Sequence, residues 1–420
     1  MYKAPRGTAD ILPEEQGYWR YVEDRAIALC RLYGYQRLDT PAFEDFQLFT
    51  RSIGEGTDIV TKEMYTFKDR SGNILALRPE GTAPVCRAYL EHGMDNLPQP
   101  VKLYYLAAIF RYERPQAGRY RQHYQFGFEA IGDADPSLDA EVIEMAWQFF
   151  SSLGLGSLYL YLNSIGCRVC RPKYLDILKR YYSAHLTGLC SDCKTRFEKN
   201  PLRLLDCKKP SCYDVADAAP KSNEYLCQDC RAHFEAVTGC LDALKLPFDI
   251  NHKLVRGLDY YAKTVFEIQP LGEGAQNALG GGGRYDDLIE ELGGKPTPAI
   301  GFAAGMERIV LNLKRQGISV PNLAANPVFI THLGNEAKLE ALRLASKLRN
   351  DGIAAVMAIG DRSLKGQLRQ ANGLGSNYVA IIGEDEVKSG TVTLRNMMTG
   401  EQKTVSPAEL GDLLTRTSQQ

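Results

Sequence analysis

The amino-acid sequence predicts an α+β protein in which an antiparallel-sheet domain is interrupted by a helical insertion and followed by a small α/β domain. Three observations carry this. Between Leu103 and Glu129, apolar and polar residues alternate at period two on both sides of a turn-forming run, the pattern of a long hairpin. Between about Gly166 and Gly239 the texture changes: eight of the eleven cysteines fall there in pairs, among helical stretches, with 13 Lys/Arg against 9 Asp/Glu. Beyond a proline-containing linker at 319–326, apolar triplets and amphipathic stretches alternate in a βαβαβ rhythm of about 95 residues. These divide the chain into 1–165 and 241–320, two parts of one domain, an insertion at 166–240, and a C-terminal domain at 326–420.

Element by element, Pro13, Glu14 and Glu15 suit a first helical turn, and that helix ends before Gly34. Tyr35 to Phe43 reads as a strand whose Pro41 belongs at an edge or an interface. Met64 to Leu77 alternates around Ser71-Gly72-Asn73, a hairpin signal, and Pro79 to His92 reads as a short loop and a helix. In the long hairpin, Leu103, Tyr105, Ala107 and Ile109 lead to Arg111 and Glu113 on one strand face. After RPQAGRYR, residues His123, Gln125, Gly127 and Glu129 share one face, and Tyr124, Phe126 and Phe128 the other. A helix follows at 138–153. Strands resume at 254–269 and 277–282, then a helix at 285–292, and Ala299 to Arg315 reads as strand, glycine, helix. In the last domain, Val328–Ile330, 353–359 and Tyr378–Ile382 are strands separated by two helices.

The polar face of the hairpin is the first candidate site. Buried polar groups cost free energy unless they find partners, so a strand that spends its second face on a glutamine and a glutamate beside an arginine suits a ligand. Gly127 offers a place where a ligand reaches the backbone. Arg256 opens the run RGLDYY; Arg, Asp and two Tyr nested just before an apolar strand read as a site rather than a plain turn. The run Gly280 to Gly283, followed by Arg284, reads either as close backbone approach to a ligand or as a flexible turn. It is neither a Walker A loop nor a dinucleotide fingerprint, so any ATP is bound without a P-loop. Arg308 falls in the first turn of a helix, where a cation costs about 0.3–1 kcal/mol that a bound phosphate reverses. Glu80 and Thr82 read as an ordinary helix start or as part of a site.

The cysteines pair as Cys167/Cys170, Cys190/Cys193, Cys207/Cys212 and Cys227/Cys230. Two thiolates on a tight turn can grip one Zn²⁺. Nested pairing would put Cys190, Cys193, Cys207 and Cys212 around one zinc and the flanking pairs around another; reduced thiols left over in a helical insertion are the alternative. Cys30, Cys86 and Cys240 read as packing residues. The six histidines form no metal or triad spacing.

The 420 residues, 44% hydrophobic and 24% charged, are those of an ordinary soluble protein of two or three domains. A net charge of -1 excludes a chain-wide basic coat, so nucleic-acid contact must come from local patches. The start of the chain lacks a cationic region followed by an apolar one, and no run approaches the roughly 18 apolar residues of a membrane span. The expectation is a soluble, cytoplasmic protein.

Several of these segments resemble one family. The FRYE strand end, arginine-rich loop and returning QFGFE strand resemble the second signature motif of class II aminoacyl-tRNA synthetases, and GFAAGMERIV resembles the third. RGLDYY looks like the signature that sets histidyl-tRNA synthetases apart from their class II relatives; PRGTADILP and TPAFE also match that family. The resemblance covers nearly the whole chain. It implies a class II synthetase antiparallel-sheet catalytic domain of six strands, a helical insertion, and a C-terminal α/β anticodon-binding domain. It implies a histidine–tRNA ligase that uses ATP with Mg²⁺, tRNA(His) as partner, and a homodimer built on TPAFE. Arg111 and Arg256 would act on the α-phosphate as catalytic residues, Glu113 on the adenine or ribose side, and Arg308 on the γ-phosphate. Glu80, Thr82 and Gln125 would bind the α-ammonium of histidine, while Glu129, Tyr260 and Tyr261 line its pocket, Glu129 and Tyr261 meeting the two imidazole nitrogens. Many relatives keep the insertion without all eight cysteines, so the activity itself does not require zinc. The rival is the synthetase-like regulatory subunit of ATP phosphoribosyltransferase, which would lack the anticodon domain and usually the insertion.

Overall fold

The computed structural model describes residues 2–54, 57–116, 118–271, 278–321 and 327–417. Asn277, expected to open a strand, and residues 322–326 of the expected linker lie outside these. The chain divides into two compact units, Met1–Pro321 and Asn322–Gln420.

The first unit is built on one sheet. Six antiparallel strands run in the order Val101–Phe110, Gln122–Ile131, Ala299–Gly305, Gly280–Arg284, Ala262–Pro270 and Leu158–Ser164. A two-residue parallel strand flanks each end, Gln36–Arg37 and Asp249–Ile250. Phe43–Asp45, Thr66–Lys68 and Ile74–Leu77 form a separate small sheet, so the strand expected from Tyr35 to Phe43 is split between two sheets. Pro41, which has no N–H for a ladder, sits in the break.

Alternation decides what each face of the sheet does. Phe126, Phe128, Phe266 and Phe302 point to one side and are fully buried beneath the helices Gln16–Leu32, Pro136–Ser152 and Met306–Arg315. The opposite face packs against the helix Thr82–Glu91 and the first part of the cysteine-bearing insertion, through Tyr105, Val265, Tyr174 and Leu204, while the insertion's return helix packs with the aromatic core through Phe234 and Val237. The insertion is helical, as its composition suggested, with Arg171–Ser183, Ser191–Lys199 and the return helix Gln228–Ala243. Strand alternation puts Arg284, paired with Ile300, on the face opposite the site. Arg284 is fully buried and donates from Nε to Asp139 at 2.6 Å, and Asp139 also faces His233 Nε2 at 2.9 Å. The arginine of the glycine run is therefore a structural tie.

Two strands are shorter than their alternation suggests. The hairpin strand stops at Phe110, placing Arg111 and Glu113 in the loop beyond it, and Arg256–Tyr261 is loop rather than strand. In the second unit a five-stranded sheet runs Ala355–Met357, Val328–His332, Tyr378–Ile382, Val392–Asn396, Gln402–Val405. The first three strands are parallel neighbours; the last two form an antiparallel extension that the βαβαβ rhythm did not announce.

Candidate active site

The floor of the main cavity is one row across the sheet. Tyr105 pairs in register with Gly127, Gly127 with Ala303, Ala303 with Gly281, and Gly281 with Glu267. Small residues in the middle leave a trough of about 260 Å³, just below the ~300–1,000 Å³ usual for small-molecule sites. Gly281 is bare because backbone and an arginine both crowd it: a β-carbon there would stand 2.6 Å from the Phe266 carbonyl oxygen and 2.7 Å from Arg256 Nη1. The glycine run is thus a strand kept bare by close approach, not a flexible turn. Gly127 differs from expectation. Its open side is filled by the Tyr105 hydroxyl, 2.4 Å from where a β-carbon would be, so it accommodates a side chain of the fold.

Arg111, Arg256 and Arg308, far apart in sequence, all line this one cavity. Arg111 Nε donates to the Pro79 carbonyl at 2.7 Å. Glu113 stands between Arg111 and Arg119, at 4.0 Å and 3.2 Å. Arg308, in the first turn of Met306–Arg315, donates to the carbonyls of Gly118 at 3.1 Å and Ala278 at 3.0 Å, which offset its unfavourable place on the helix dipole. Arg256 Nη1 donates to Glu267 at 2.9 Å, and its buried Nε has no hydrogen-bond partner among the described residues. A buried guanidinium donor without a partner calls for an explanation, and a cavity lined by its own side chain suits an anion.

Beside the arginines lie Glu80, Thr82, Gln125, Tyr260 and Tyr261. Glu80 receives the backbone N–H groups of Thr82 at 2.6 Å and Ala83 at 2.8 Å, capping the helix Thr82–Glu91. Both readings of that segment therefore meet in one residue, which starts a helix and also lines the cavity. Tyr260 and Tyr261 stand with ring centroids 4.7 Å apart. Glu129 sits one layer behind the wall, 1% exposed. It accepts from the Thr82 hydroxyl at 2.7 Å and from the Tyr285 hydroxyl at 2.6 Å. The expected clasp, with Glu129 and Tyr261 directly facing two imidazole nitrogens, is thus modified: Glu129 reaches the cavity by way of Thr82. Burial, against the lowering effect of those two hydroxyls, pushes its carboxyl up to about 8.

Three cavity residues were not singled out in the sequence, and a fourth, His123, was placed on the site face but given no role. Glu267 holds Arg256, and Arg119 holds Glu113. His123 is kept neutral, its imidazole held down at about 3 by burial and by Arg111 and Arg308. Glu307 receives the N–H of Tyr124 at 2.9 Å, and burial pushes it up to about 7. Tyr285 lay equally hidden, behind the wall. For His123 and Glu267 the strand alternation was the available signal, since each shares a face with a residue already singled out.

The insertion brings its eight paired cysteines into two groups, Cys167, Cys170, Cys227, Cys230 and Cys190, Cys193, Cys207, Cys212. This is the nested arrangement. Within each group the four sulfurs lie within 4.8 Å of one another, with Cys170–Cys230 and Cys190–Cys207 at 3.8 Å. Four thiolates about 2.3 Å from a tetrahedral zinc stand about 3.8 Å apart, so both groups have the dimensions of a Cys₄ site.

With this geometry in place, comparison with known proteins is informative. The sequence model of the family described as "Histidyl-tRNA synthetase" matches residues 7–169 and 175–309, and that described as "Anticodon binding domain" matches 327–417. A histidine–tRNA ligase of Dehalococcoides mccartyi is 62% identical over 405 residues, 96% of this chain and 97% of its own. One from Caldanaerobacter subterraneus subsp. tengcongensis is 50% identical over 402 residues, 96% of each chain. The crystal structure of apo S. aureus histidyl-tRNA synthetase superposes with a TM-score of 0.82 at 39% identity, covering 99% of this chain and 100% of that one. A class II catalytic sheet, a cavity lined by the arginines of two signature motifs and of RGLDYY, and relatives aligned end to end lead to one statement: the chain belongs to the histidyl-tRNA synthetase family.

Proposed function

We propose that this protein is a histidine–tRNA ligase that activates histidine with ATP as histidyl-adenylate and transfers the histidyl group to the 3′ end of tRNA(His). The observation that carries this is the convergence of Arg111, Arg256 and Arg308 on one cavity beside Tyr260 and Tyr261. In the first step the histidine carboxylate attacks the α-phosphorus of ATP and pyrophosphate leaves. In the second, a hydroxyl of the terminal ribose of tRNA takes the histidyl group and AMP is released. Phosphoryl transfer of this kind needs alignment and charge stabilisation more than covalent help. Arg111 and Arg256, both lining the cavity, act on the α-phosphate. Glu113 orients the adenine or ribose side, and Arg308 holds the γ-phosphate end. Glu80, Thr82 and Gln125 receive the α-ammonium, while Glu129, through Thr82, and Tyr260 and Tyr261 recognise the side chain. Glu113 and Glu267 on the cavity wall would hold a Mg²⁺ that keeps several of its waters, and the ion would supply shielding of the nucleotide's phosphate charge.

The rest of the reading follows. Each cysteine group holds one structural Zn²⁺, supported by the sulfur spacing. The divisions 1–165, 166–240, 241–320 and 326–420 are catalytic, insertion, catalytic and anticodon-binding, and the positive excess of the insertion suits the acceptor arm of tRNA. Phe43, Phe67 and Ile74 on the small sheet are 50%, 42% and 46% exposed, an apolar surface suited to a homodimer interface. No helix of the described residues is long and apolar enough to cross a membrane, and the cytoplasm, where ATP and tRNA are found, is the location that fits. The synthetase-like regulatory subunit is not favoured, because the C-terminal unit matches an anticodon-binding domain and the ligase relatives align over nearly the whole chain. ATP–pyrophosphate exchange measured with each of the twenty amino acids tests the assignment. Exchange with histidine alone is expected; exchange driven by another amino acid, or by none, contradicts it.

A further inference from the structure

The insertion does not stand clear of the cavity. Three of its side chains grip the loop Arg256–Tyr261, which is not part of a strand and so has no ladder to fix it. Arg171, at the start of Arg171–Ser183 and beside the outer cysteine group, donates to the carbonyls of Tyr261 and Gly166. Asn200, the residue that ends Ser191–Lys199, donates its side-chain N–H to Asp259 Oδ1 at 2.6 Å. Arg203, in the turn Pro201–Leu204, lies against Gly257, its Nη1 3.2 Å from where a β-carbon would be. Asp259 passes the contact on, donating its backbone N–H to Ile53 at 3.2 Å, while Arg196 pairs with Asp58 at 3.0 Å. The segment that carries Arg196, Asn200 and Arg203 is bracketed by the inner cysteines, Cys190 and Cys193 at its start and Cys207 and Cys212 beyond its end.

None of these groups lines the trough where the arginines lie. Their common target is the loop that places Tyr260 and Tyr261. We propose that the insertion is a positioning element for amino-acid recognition: Asn200 and Arg203 set the 256–261 loop so that the two tyrosines meet the histidine side chain. They are positioning residues, because they touch the loop and not the substrate. The inference deepens the functional assignment and rests on its reading of Tyr260 and Tyr261 as the histidine pocket.

The physical case is one of leverage. Asp259 is exposed, so the bond from Asn200 works by geometry: a hydrogen bond to a carboxylate is among the stronger kinds, and a second carboxylate in the donor's place would repel it. A displacement of about 1 Å at a loop that presents recognition groups is enough to lower rates by about 10²-fold. Loss of Asn200 therefore acts first on histidine, because Asp259 adjoins Tyr260, while Arg256 at the other end of the loop is held from the sheet by Glu267 at 2.9 Å.

Steady-state pyrophosphate exchange on the full chain, with KM measured separately for histidine and ATP, tests this. Asn200→Asp sets a second carboxylate against Asp259 and is expected to raise the histidine KM about tenfold with the ATP KM within about twofold. The reciprocal pair Asn200→Asp with Asp259→Asn reverses donor and acceptor and is expected to return the histidine KM to within about threefold of the parent. Tyr261→Phe, measured alongside, tests the pocket itself. If Asn200→Asp leaves the histidine KM unchanged, raises both KM values alike, or is not rescued by the pair while Tyr261→Phe raises the histidine KM, the positioning role is overturned and the pocket stands. If Tyr261→Phe leaves the histidine KM unchanged, the pocket reading fails and the positioning role falls with it. Should a melting curve show Asn200→Asp unfolded, the uncharged variant Asn200→Ala is read in the same way, with an expected rise of about threefold.

Discussion

At the scale of single residues, Arg256 and Glu129 show how much of a side chain's role is set by its neighbours. Arg256 uses one arm on Glu267 and still lines the cavity with the rest of its guanidinium, an arrangement that needs the planar, multi-donor fork of arginine. Arg256→Lys is expected to keep histidine binding by calorimetry yet lose at least about 100-fold in pyrophosphate exchange; near-normal exchange would refute its role. Glu129 is held protonated by burial, with its carboxyl near 8 against an ordinary value of 4.5. The folded state thus keeps a proton that the unfolded chain releases, so the stability from this group is full below about 4.5 and is lost as pH rises towards 8. Glu129→Gln, which is neutral at every pH, is expected to gain in melting temperature relative to the parent between pH 5 and pH 8.5; a constant difference would contradict the assignment. Glu129 was legible as a strand residue facing a site, and Arg256 as the head of a dense motif. Tyr285 was not, because its bond to Glu129 spans 156 positions and no local pattern encodes such a contact.

At the scale of elements, periodicity located the long hairpin within a residue or two but overextended it. Arg111 and Glu113 continue the alternation past Phe110 because a loop that presents side chains to a site shares the polarity of a strand face. RGLDYY misled in the same way, joining a loop to the apolar strand that follows. The cysteine pairs were legible as pairs, and the nesting now has a structural cause: the helices Ser191–Lys199 and Gln228–Ala243 each start at a cysteine, Cys190 and Cys227, and the fold brings the partner pair to that start. Full-length protein purified without chelator is expected to contain two equivalents of zinc, and Cys212→Ser to lose the inner one while keeping the outer. Less than about a tenth of an equivalent in the parent would end the zinc reading. The two C-terminal antiparallel strands were missed because Val392–Asn396 and Gln402–Val405 are short, mixed in polarity and half exposed.

At the scale of the whole molecule, the sheet divides the labour. One face is sealed by aromatic rings under helices that include the insertion's return helix; the other carries the trough, the arginines and the rest of the insertion. The fold class was legible because each domain announces itself by a different period or composition. The assembly of the trough was not, since Arg111, Arg256 and Arg308 come together only through a non-sequential strand order. The family resemblance supplied that step, and the coordinates agree with it. The central claim is that three arginines face one nucleotide with the histidine pocket beside it, and a crystal structure of the protein with histidine and a non-reactive ATP analogue tests it most directly. The account predicts Arg111 and Arg256 within hydrogen-bond distance of the α-phosphate, Arg308 on the γ-phosphate, and the imidazole against Tyr261. A nucleotide bound outside this trough, or an imidazole out of reach of Tyr260 and Tyr261, would contradict it.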